Sequence, residues 1–584
     1  MFFARSRTLT EKRISDAEGW VVLAFCMAAS GVAFLWSWRH GAMINYGDAI
    51  AHLHIARRVF DSRTPRFSEL GSVWLPLPHI LLLPFVQNYF WWAMGLAGVV
   101  PSALACVASC AGIYRLARTW LDRAPAALAL LFFALNPNLL YLQTTAMTEP
   151  LFLCEFIWIV VWLVEWRAAL DEETVADGSN PHSVPSSPRS SIARATRLQI
   201  CIAIVLVAAI FTRYDGWIIA LTAWSGIAIT LFRRAAAGER SRLASPAFWL
   251  ATTAIAAAPL LWFVYNSVCF GDWLFFARGP YSAHAIELHT AANAPGWPPH
   301  PGWHSPWVAL LFYLKVAELD SVAAPGWGNL WGNLVLGLAM LGIARAWLVE
   351  KARRRAIAWT LLLWLPVPFY AWSVAYGSVP IFFPAWWPYT WYNTRYGLEF
   401  LPALALGLGF AVHLLAGSLR TLNLPASASV LYKFAFAFLF ALAGLNVYAL
   451  LGYGPIVYVE STKNALARQP YDNAIPPALQ SLLTLDPHAT VLMNTSIYPE
   501  IVAFTGIPLR QTINEGDLGI YRSALDDPAA HAAIVLAFAG DEIDTAVKAH
   551  RAEFTLIGSF SAENQPSAAI YASTKWLHRA PDFF

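Results

Sequence analysis

The chain returns again and again to stretches of about 20 mostly apolar residues, the length a helix needs to cross a bilayer. They lie near 19–38, 94–114, 124–141, 150–166, 198–212, 216–232, 246–268, 328–346, 356–378, 397–416 and 430–453. No water is available in hydrocarbon to satisfy a backbone N–H or C=O, so such stretches must fold as helices. Composition agrees: mean hydropathy is +0.49 and 13% of residues are charged, against about 25% in soluble domains. The expected fold class is an α-helical polytopic membrane protein of about 11 spans, with residues 1–453 as the transmembrane body. The stretches 198–212 and 216–232 are short and closely spaced, and read as a tight hairpin or one broken helix. Region 76–92 is apolar but interrupted by prolines, and reads as an interfacial helix.

Charge placement orients these spans. With a cytoplasmic N-terminus, the inner segments hold Arg115, Arg118, Arg123, Arg233, Arg234, Arg240, Arg242 and the run Lys351–Arg355, besides the basic N-terminal tail. Outer loops up to residue 453 hold far fewer, and most of those lie in the first loop, 39–93. The first span is followed by Ser37-Trp38-Arg39-His40 rather than small residues, so it is expected to stay uncleaved. An odd span count then leaves residues 455–584 outside, where strand-like ATVLMN, FTLIGS and AAIYAS alternate with helical patterns in a small extracytoplasmic α/β domain. HAAIVLAFAGDEIDTAVKAH reads as one or two helices, with a strand an alternative at AIVLAF. The Ser-, Pro- and charge-rich 171–197 loop reads as a disordered linker. All six cysteines lie in or beside apolar segments, so no disulfide framework is expected. A net charge of +3 gives no reason to expect nucleic acid.

Ionisable residues at the outer ends of the spans carry the functional signal, because such groups are costly near hydrocarbon. Asp48 stands just past the first span, on a segment expected as an amphipathic helix against the membrane surface. Helical spacing puts His52 on its face and turns His54 and Arg58 away, so the three-residue pattern is a poor metal site. Glu69, Trp74 and His79 follow in the same loop. Glu149 opens a helix, where a carboxylate also serves helix initiation. Glu155 lies deeper and should face the protein interior. Arg213 and Asp215 flank the short hairpin and can simply pair with each other. Arg395 stands among aromatic residues at the start of a span; these form an interfacial belt, and a guanidinium there can also grip a phosphate. The 269–327 outer loop carries tryptophans that suit either sugar stacking or headgroup anchoring.

Several of these residues stand in motifs. Tyr46-Gly47-Asp48-Ala49, Trp74-Leu75-Pro76-Leu77-Pro78-His79, Val99-Val100-Pro101-Ser102-Ala103, the segment ALNPNLLYLQTTAMTEPLF and Asn393-Thr394-Arg395-Tyr396 occur in that order. Together they resemble the polytopic GT-C-fold glycosyltransferases, among them protein O-mannosyltransferases and lipid A aminoarabinose transferases, over roughly residues 18–415. Two departures are plain: Ala49 replaces the second acid after Asp48, and the proline motif is looser than the family's. The resemblance implies a polyprenyl-phosphate sugar donor and an acceptor hydroxyl on a lipid, glycan or protein; the charge distribution puts the site on the extracytoplasmic side, and a bacterial inner membrane is the expected compartment. Asp48 would be the general base of an inverting displacement. Arg395 first and Arg213 second are the candidates to meet the leaving phosphate, Glu149 to bind acceptor or metal, and Asp215, His52, Glu69 and His79 to line the substrate site. No cofactor is assigned, although a divalent cation (magnesium or manganese) is one way to stabilise that phosphate. A transporter or lipid-sugar flippase is the main alternative, and a membrane scaffold presenting the C-terminal domain is another.

Overall fold

A computed structural model describes residues 14–178, 188–238, 243, 245–290, 300–322, 328–349, 354–421, 427–496 and 498–579. Among them, eight helical stretches are long and apolar enough to cross a membrane: Asp16–Arg39, Leu96–Arg118, Ala193–Thr212, Asp215–Ala236, Pro246–Phe270, Arg354–Tyr376, Thr394–Ala416 and Ala437–Leu485, the last of them interrupted at Gly454. The chain is a multi-pass membrane protein. The other three expected segments are helical as well. Residues 124–141 divide into Arg123–Ala134 and Pro137–Leu142, because the Asn136 side chain accepts from the N–H groups of Asn138 and Leu139 and starts a new helix. Residues 150–166 lie in Glu149–Gly178, and 328–346 in Gly328–Val349.

The hairpin reading of 198–232 holds. Pro188–Thr212 and Asp215–Ala236 are joined through Arg213 and Tyr214 alone. Their approach is so close that a Cβ on Gly216 would strike the carbonyl of Ala209. The linker expected at 171–197 is helical over 171–178 and 188–197, extending the neighbouring helices, which pack on each other; 179–187 lies outside the described residues.

The helix bearing Asp48, Gly47–Asp61, forms as expected but packs into protein rather than lying on a membrane surface. Arg57 on its buried side donates to the Val86 carbonyl at 2.7 Å and lies over the Trp92 ring. The apolar stretch 76–92 yields two short helices, Leu77–Leu82 and Tyr89–Ala93, broken where prolines and a turn interrupt the pattern.

The C-terminal region folds around five strands: β1 (Val491–Leu492), β2 (Thr512–Ile513), β3 (Ile534–Phe538), β4 (Phe554–Phe560) and β5 (Ala568–Ser573), in the order β2-β1-β3-β5-β4. The first three are parallel; β5 and β4 are antiparallel to their neighbours. AIVLAF forms the fully buried central strand, and the helix after it, Glu542–Ala549, starts at an Asp541 cap. β2 was not foreseen, since two residues carry no readable period. The domain docks on the Asp48-bearing helix and the residues after it: Arg63 donates to the Thr512 carbonyl and to Thr490 Oγ1 (3.0 and 2.8 Å), and Arg510 meets Asp61 at 2.9 Å. All six cysteines are free.

One helix joins the bundle to the C-terminal domain. Helix Ile456–Leu485 follows the last apolar stretch through Gly454, which adopts a left-handed turn (φ +82°). It lies in the stretch expected as the start of the C-terminal domain and packs on helix Glu500–Thr505 and on β4 of that domain, and also on Pro137–Leu142 and the 3-10 turn Thr394–Phe400, beside the residues described next.

Candidate functional site

The charged residues singled out along the sequence meet at one end of the helix bundle, and most stand at helix termini. Asp48 occupies the first turn of Gly47–Asp61, Glu149 and Asp215 open their helices, and Arg213 sits in the two-residue hairpin. Arg395 is held in the 3-10 turn Thr394–Phe400, which begins at Asn393 with a left-handed backbone (φ 56°). That costly conformation is braced on both sides. Asn393 Nδ2 donates to the Pro380 carbonyl, and the N–H groups of Asn393 and Thr394 donate to Glu460 at 3.1 and 2.9 Å.

Two guanidiniums organise the acids. Arg395 donates from Nη2 to Asp48 Oδ2 (2.8 Å) and from Nε to Glu149 Oε1 (3.0 Å), with Glu460 Oε1 3.7 Å from Nη1. Arg213 donates from Nη1 to the same Glu149 oxygen (3.1 Å) and from Nε to Asp215 (3.2 Å). Its Nη2 reaches Tyr370 Oη (2.8 Å) and lies 3.0 Å from Glu399, to which Tyr370 donates at 2.6 Å. Both guanidiniums lie against the Tyr396 ring, 5.0 and 5.1 Å from its centroid. The arrangement places alternating charges in close register, so each buried acid has a cationic partner.

Within this network one acid is open. Glu149, Asp215, Glu399 and Glu460 are buried, whereas the Asp48 side chain is 43% exposed. Its Oδ1 makes no hydrogen bond among the described residues. It faces a cavity of about 280 Å³ lined also by Tyr46, Trp391, Arg395, Glu460, Lys463 and Asn464. An ionised carboxylate with one oxygen anchored and one free can accept a proton from a hydroxyl in that cavity.

His52 and His79 meet each other, Nδ1 to Nε2 at 2.8 Å, with Trp74 beside His52. Both are buried. Desolvation first, then the fields of Arg395 and Arg213, push His52 down to about 3, which makes it a neutral neighbour of the cluster. His79 is likewise held well below its ordinary range by burial and by His52. Glu69 is not bonded to this network. It lies near Arg58 (4.0 Å) and Arg66 (3.7 Å) and accepts from Thr64 (3.3 Å); burial pushes its carboxyl up to about 7. Glu155, expected to face inward, is buried and accepts from Thr212 Oγ1 at 2.9 Å.

The sequence reading missed Tyr370, Glu399 and everything on helix Ile456–Leu485. Glu399 follows Arg395 by one helical turn within the same aromatic segment, a signal that was on the page. Glu460, Lys463, Asn464 and Arg468 also share one face by helical spacing. Asn464 accepts from the Gly47 N–H (3.3 Å). Arg468 donates to the Asn45 carbonyl (3.0 Å) and pairs with Glu500 of the C-terminal domain (2.9 Å). The turn before Asp48 is thereby tied to both.

Asp48 and Glu149 are each held by Arg395 through one oxygen and keep the other without a hydrogen bond, but Ala49 supplies no further oxygen and, among the described residues, no third acid or imidazole lies close enough to complete a cation site with them. His54 and His52 diverge, His54 stacking on Trp92 instead. The donor group close enough to hold an ion among the described residues is Asp527, His550 and Glu553 on the C-terminal domain, whose ligand atoms lie within 4.8 Å of one another.

No protein-family model and no curated protein matches the chain. Solved structures do. ArnT from Cupriavidus metallidurans bound to undecaprenyl phosphate superposes with a TM-score of 0.50 at 13% identity, covering 95% of this chain and 98% of that one. The Archaeoglobus fulgidus oligosaccharyltransferase in the apo form gives 0.46 at 12% identity over 90% and 70% of the two chains. The archaeal oligosaccharyltransferase AglB from Archaeoglobus fulgidus, in complex with an inhibitory peptide and a dolichol-phosphate, gives 0.43 at 14% identity over 96% and 74%. Identity this low speaks to fold alone, and the near end-to-end match with ArnT gives this chain the GT-C fold.

Proposed function

We propose that the protein is a glycosyltransferase that moves a sugar from a polyprenyl-phosphate donor to an acceptor hydroxyl, with Asp48 as general base. The observation that carries this reading is the single open carboxylate. Asp48 is anchored through one oxygen by Arg395, free at the other, and exposed to a cavity whose other acidic lining residue, Glu460, is itself buried.

In the proposed step the acceptor oxygen attacks the anomeric carbon while the bond from that carbon to the phosphate oxygen breaks. The bonding pair leaves with polyprenyl phosphate, and the hydroxyl proton passes to Asp48 Oδ1. One displacement at one face inverts the anomeric configuration. Arg395 positions the base and is held in turn by Glu149, whose same oxygen Arg213 also binds. Asp215 orients Arg213, and the hydrogen-bonded His52–His79 pair stays neutral beside the cluster. Glu69 stays with Arg58, Arg66 and Thr64 near it in the chain rather than with the reacting atoms. ArnT, which shares the fold, was crystallised with undecaprenyl phosphate, which supports a lipid-phosphate donor.

The positive-inside distribution supports a cytoplasmic N-terminus, about 11 crossings and an extracytoplasmic site in a bacterial inner membrane, with residues 455–584 on the same side. A site at helix ends also suits chemistry at the bilayer surface better than transport, which needs a midplane site. The test uses the protein in nanodiscs with a panel of polyprenyl-phosphate sugars and an acceptor extract, following release of polyprenyl phosphate. Release by the wild type and not by Asp48→Asn is expected. Equal release by both would remove Asp48 from the mechanism.

A further inference from the structure

The reaction just described, on which this inference rests, leaves a negative charge on the departing phosphate, and some cation must meet it. The arginines expected to do so are committed elsewhere. Arg395 contacts Asp48, Glu149 and Glu460, and Arg213 contacts Glu149, Asp215 and Glu399; both are almost wholly enclosed. Turning either guanidinium to a phosphate would strand a buried acid, which is strongly unfavourable.

Lys463 stands differently. It is exposed, lines the Asp48 cavity, and projects from the same face of helix Ile456–Leu485 as Glu460 and Asn464. Its ammonium lies over the Trp391 ring, 4.2 Å from the centroid, and pairs with no carboxylate among the described residues. The cation–π contact holds the flexible stem in place without using up the charge. Close by in sequence from Trp391, the residues Trp386, Trp387, Tyr389 and Tyr392 are exposed. Indole and phenol rings of this kind settle at the headgroup level of a bilayer. An anion reaching the cavity past them is one carried by a lipid.

We propose that Lys463 binds the phosphate of the lipid-linked donor in the Asp48 cavity and takes the charge that develops on it as the glycosidic bond to phosphate breaks. Lys463 thereby faces the leaving group while Asp48 faces the attacking hydroxyl. The helix that follows the last apolar stretch becomes part of the reacting centre.

The experiment measures binding of undecaprenyl phosphate, of undecaprenol and of inorganic phosphate to the full chain in nanodiscs. It compares the wild type with Lys463→Ala, Lys463→Gln and Lys463→Arg, with thermal unfolding as the check on folding. Wild type is expected to prefer undecaprenyl phosphate to undecaprenol. Both neutral variants should bind undecaprenyl phosphate roughly 10- to 100-fold more weakly, the worth of one charge-assisted contact. Lys463→Arg should retain most of the affinity, and undecaprenol should bind all four alike. Unchanged phosphate preference in the folded neutral variants would overturn the role of Lys463 and leave the proposed reaction standing. A wild type that does not distinguish phosphate from alcohol overturns both. Inorganic phosphate binding as tightly as the lipid would overturn the lipid origin of the anion.

Discussion

Asp48 and Arg395 are 347 residues apart in the chain and meet at 2.8 Å, Nη2 to Oδ2. The contact leaves one oxygen of Asp48 free in the cavity and joins the helix after the first apolar stretch to the turn that opens a late one.

If Asp48 takes the proton, Asp48→Asn keeps the size of the side chain and an oxygen for Arg395 but loses the basic site. Turnover is expected to fall by about 10²- to 10⁴-fold, the usual contribution of a positioned base. Donor binding should change little. Single-turnover release of polyprenyl phosphate, beside equilibrium binding of the same donor, separates these effects; a loss confined to binding would refute the assignment.

Arg395→Met should be much more damaging to folding than a surface change, because Asp48, Glu149 and Glu460 lose a shared cation and two of them are buried. A loss of about 3–5 kcal/mol is expected for breaking such an enclosed network. Arg395→Lys should rescue little, since one ammonium does not reproduce contacts made by three different nitrogens. Chemical unfolding in nanodiscs or detergent reads both; a Lys variant as stable as wild type would show that charge alone matters.

Glu69 gives the stability of the folded chain a pH dependence. Burial raises its carboxyl from 4.5 to about 7, so between those values the folded chain keeps a proton that the unfolded chain has lost. Its contribution to stability is therefore full below 4.5, falls as pH rises towards 7, and is constant above that. Glu69→Gln should remove this component of the pH–stability curve. An identical curve for variant and wild type would count against the raised value.

His54 is buried against Trp92 with neither ring nitrogen hydrogen-bonded, and is pushed down to about 3 by burial and then by Arg58 and Arg57. Below pH 6.5 the unfolded chain binds a proton that the folded chain refuses, so this group costs stability increasingly as pH falls towards 3. His54→Phe keeps the aromatic contact and removes both unpaired nitrogens. It should raise stability at neutral pH and make the loss on acidification shallower, as read by unfolding midpoints between pH 7 and pH 5.

The helical class of the fold and the identity of its charged termini follow from the sequence by itself. Hydrocarbon forces each long apolar run to satisfy its own backbone, so the runs around 19–38 or 246–268 have only one regular form open to them. The cost of an ionisable group there makes Asp48, Glu149, Arg213 and Arg395 conspicuous one at a time. Tertiary structure decided which of them share a site. Glu69 was read in the same loop as Asp48 yet pairs with Arg58 and Arg66 away from the Arg395 network, while Glu460 and Lys463, far along the chain in an ordinary polar helix, joined the cavity. Local pattern reports which face of a helix avoids water. Which helix ends converge is set by packing between segments hundreds of residues apart, and that packing turned two arginines into partners for buried acids and left a lysine facing the cavity.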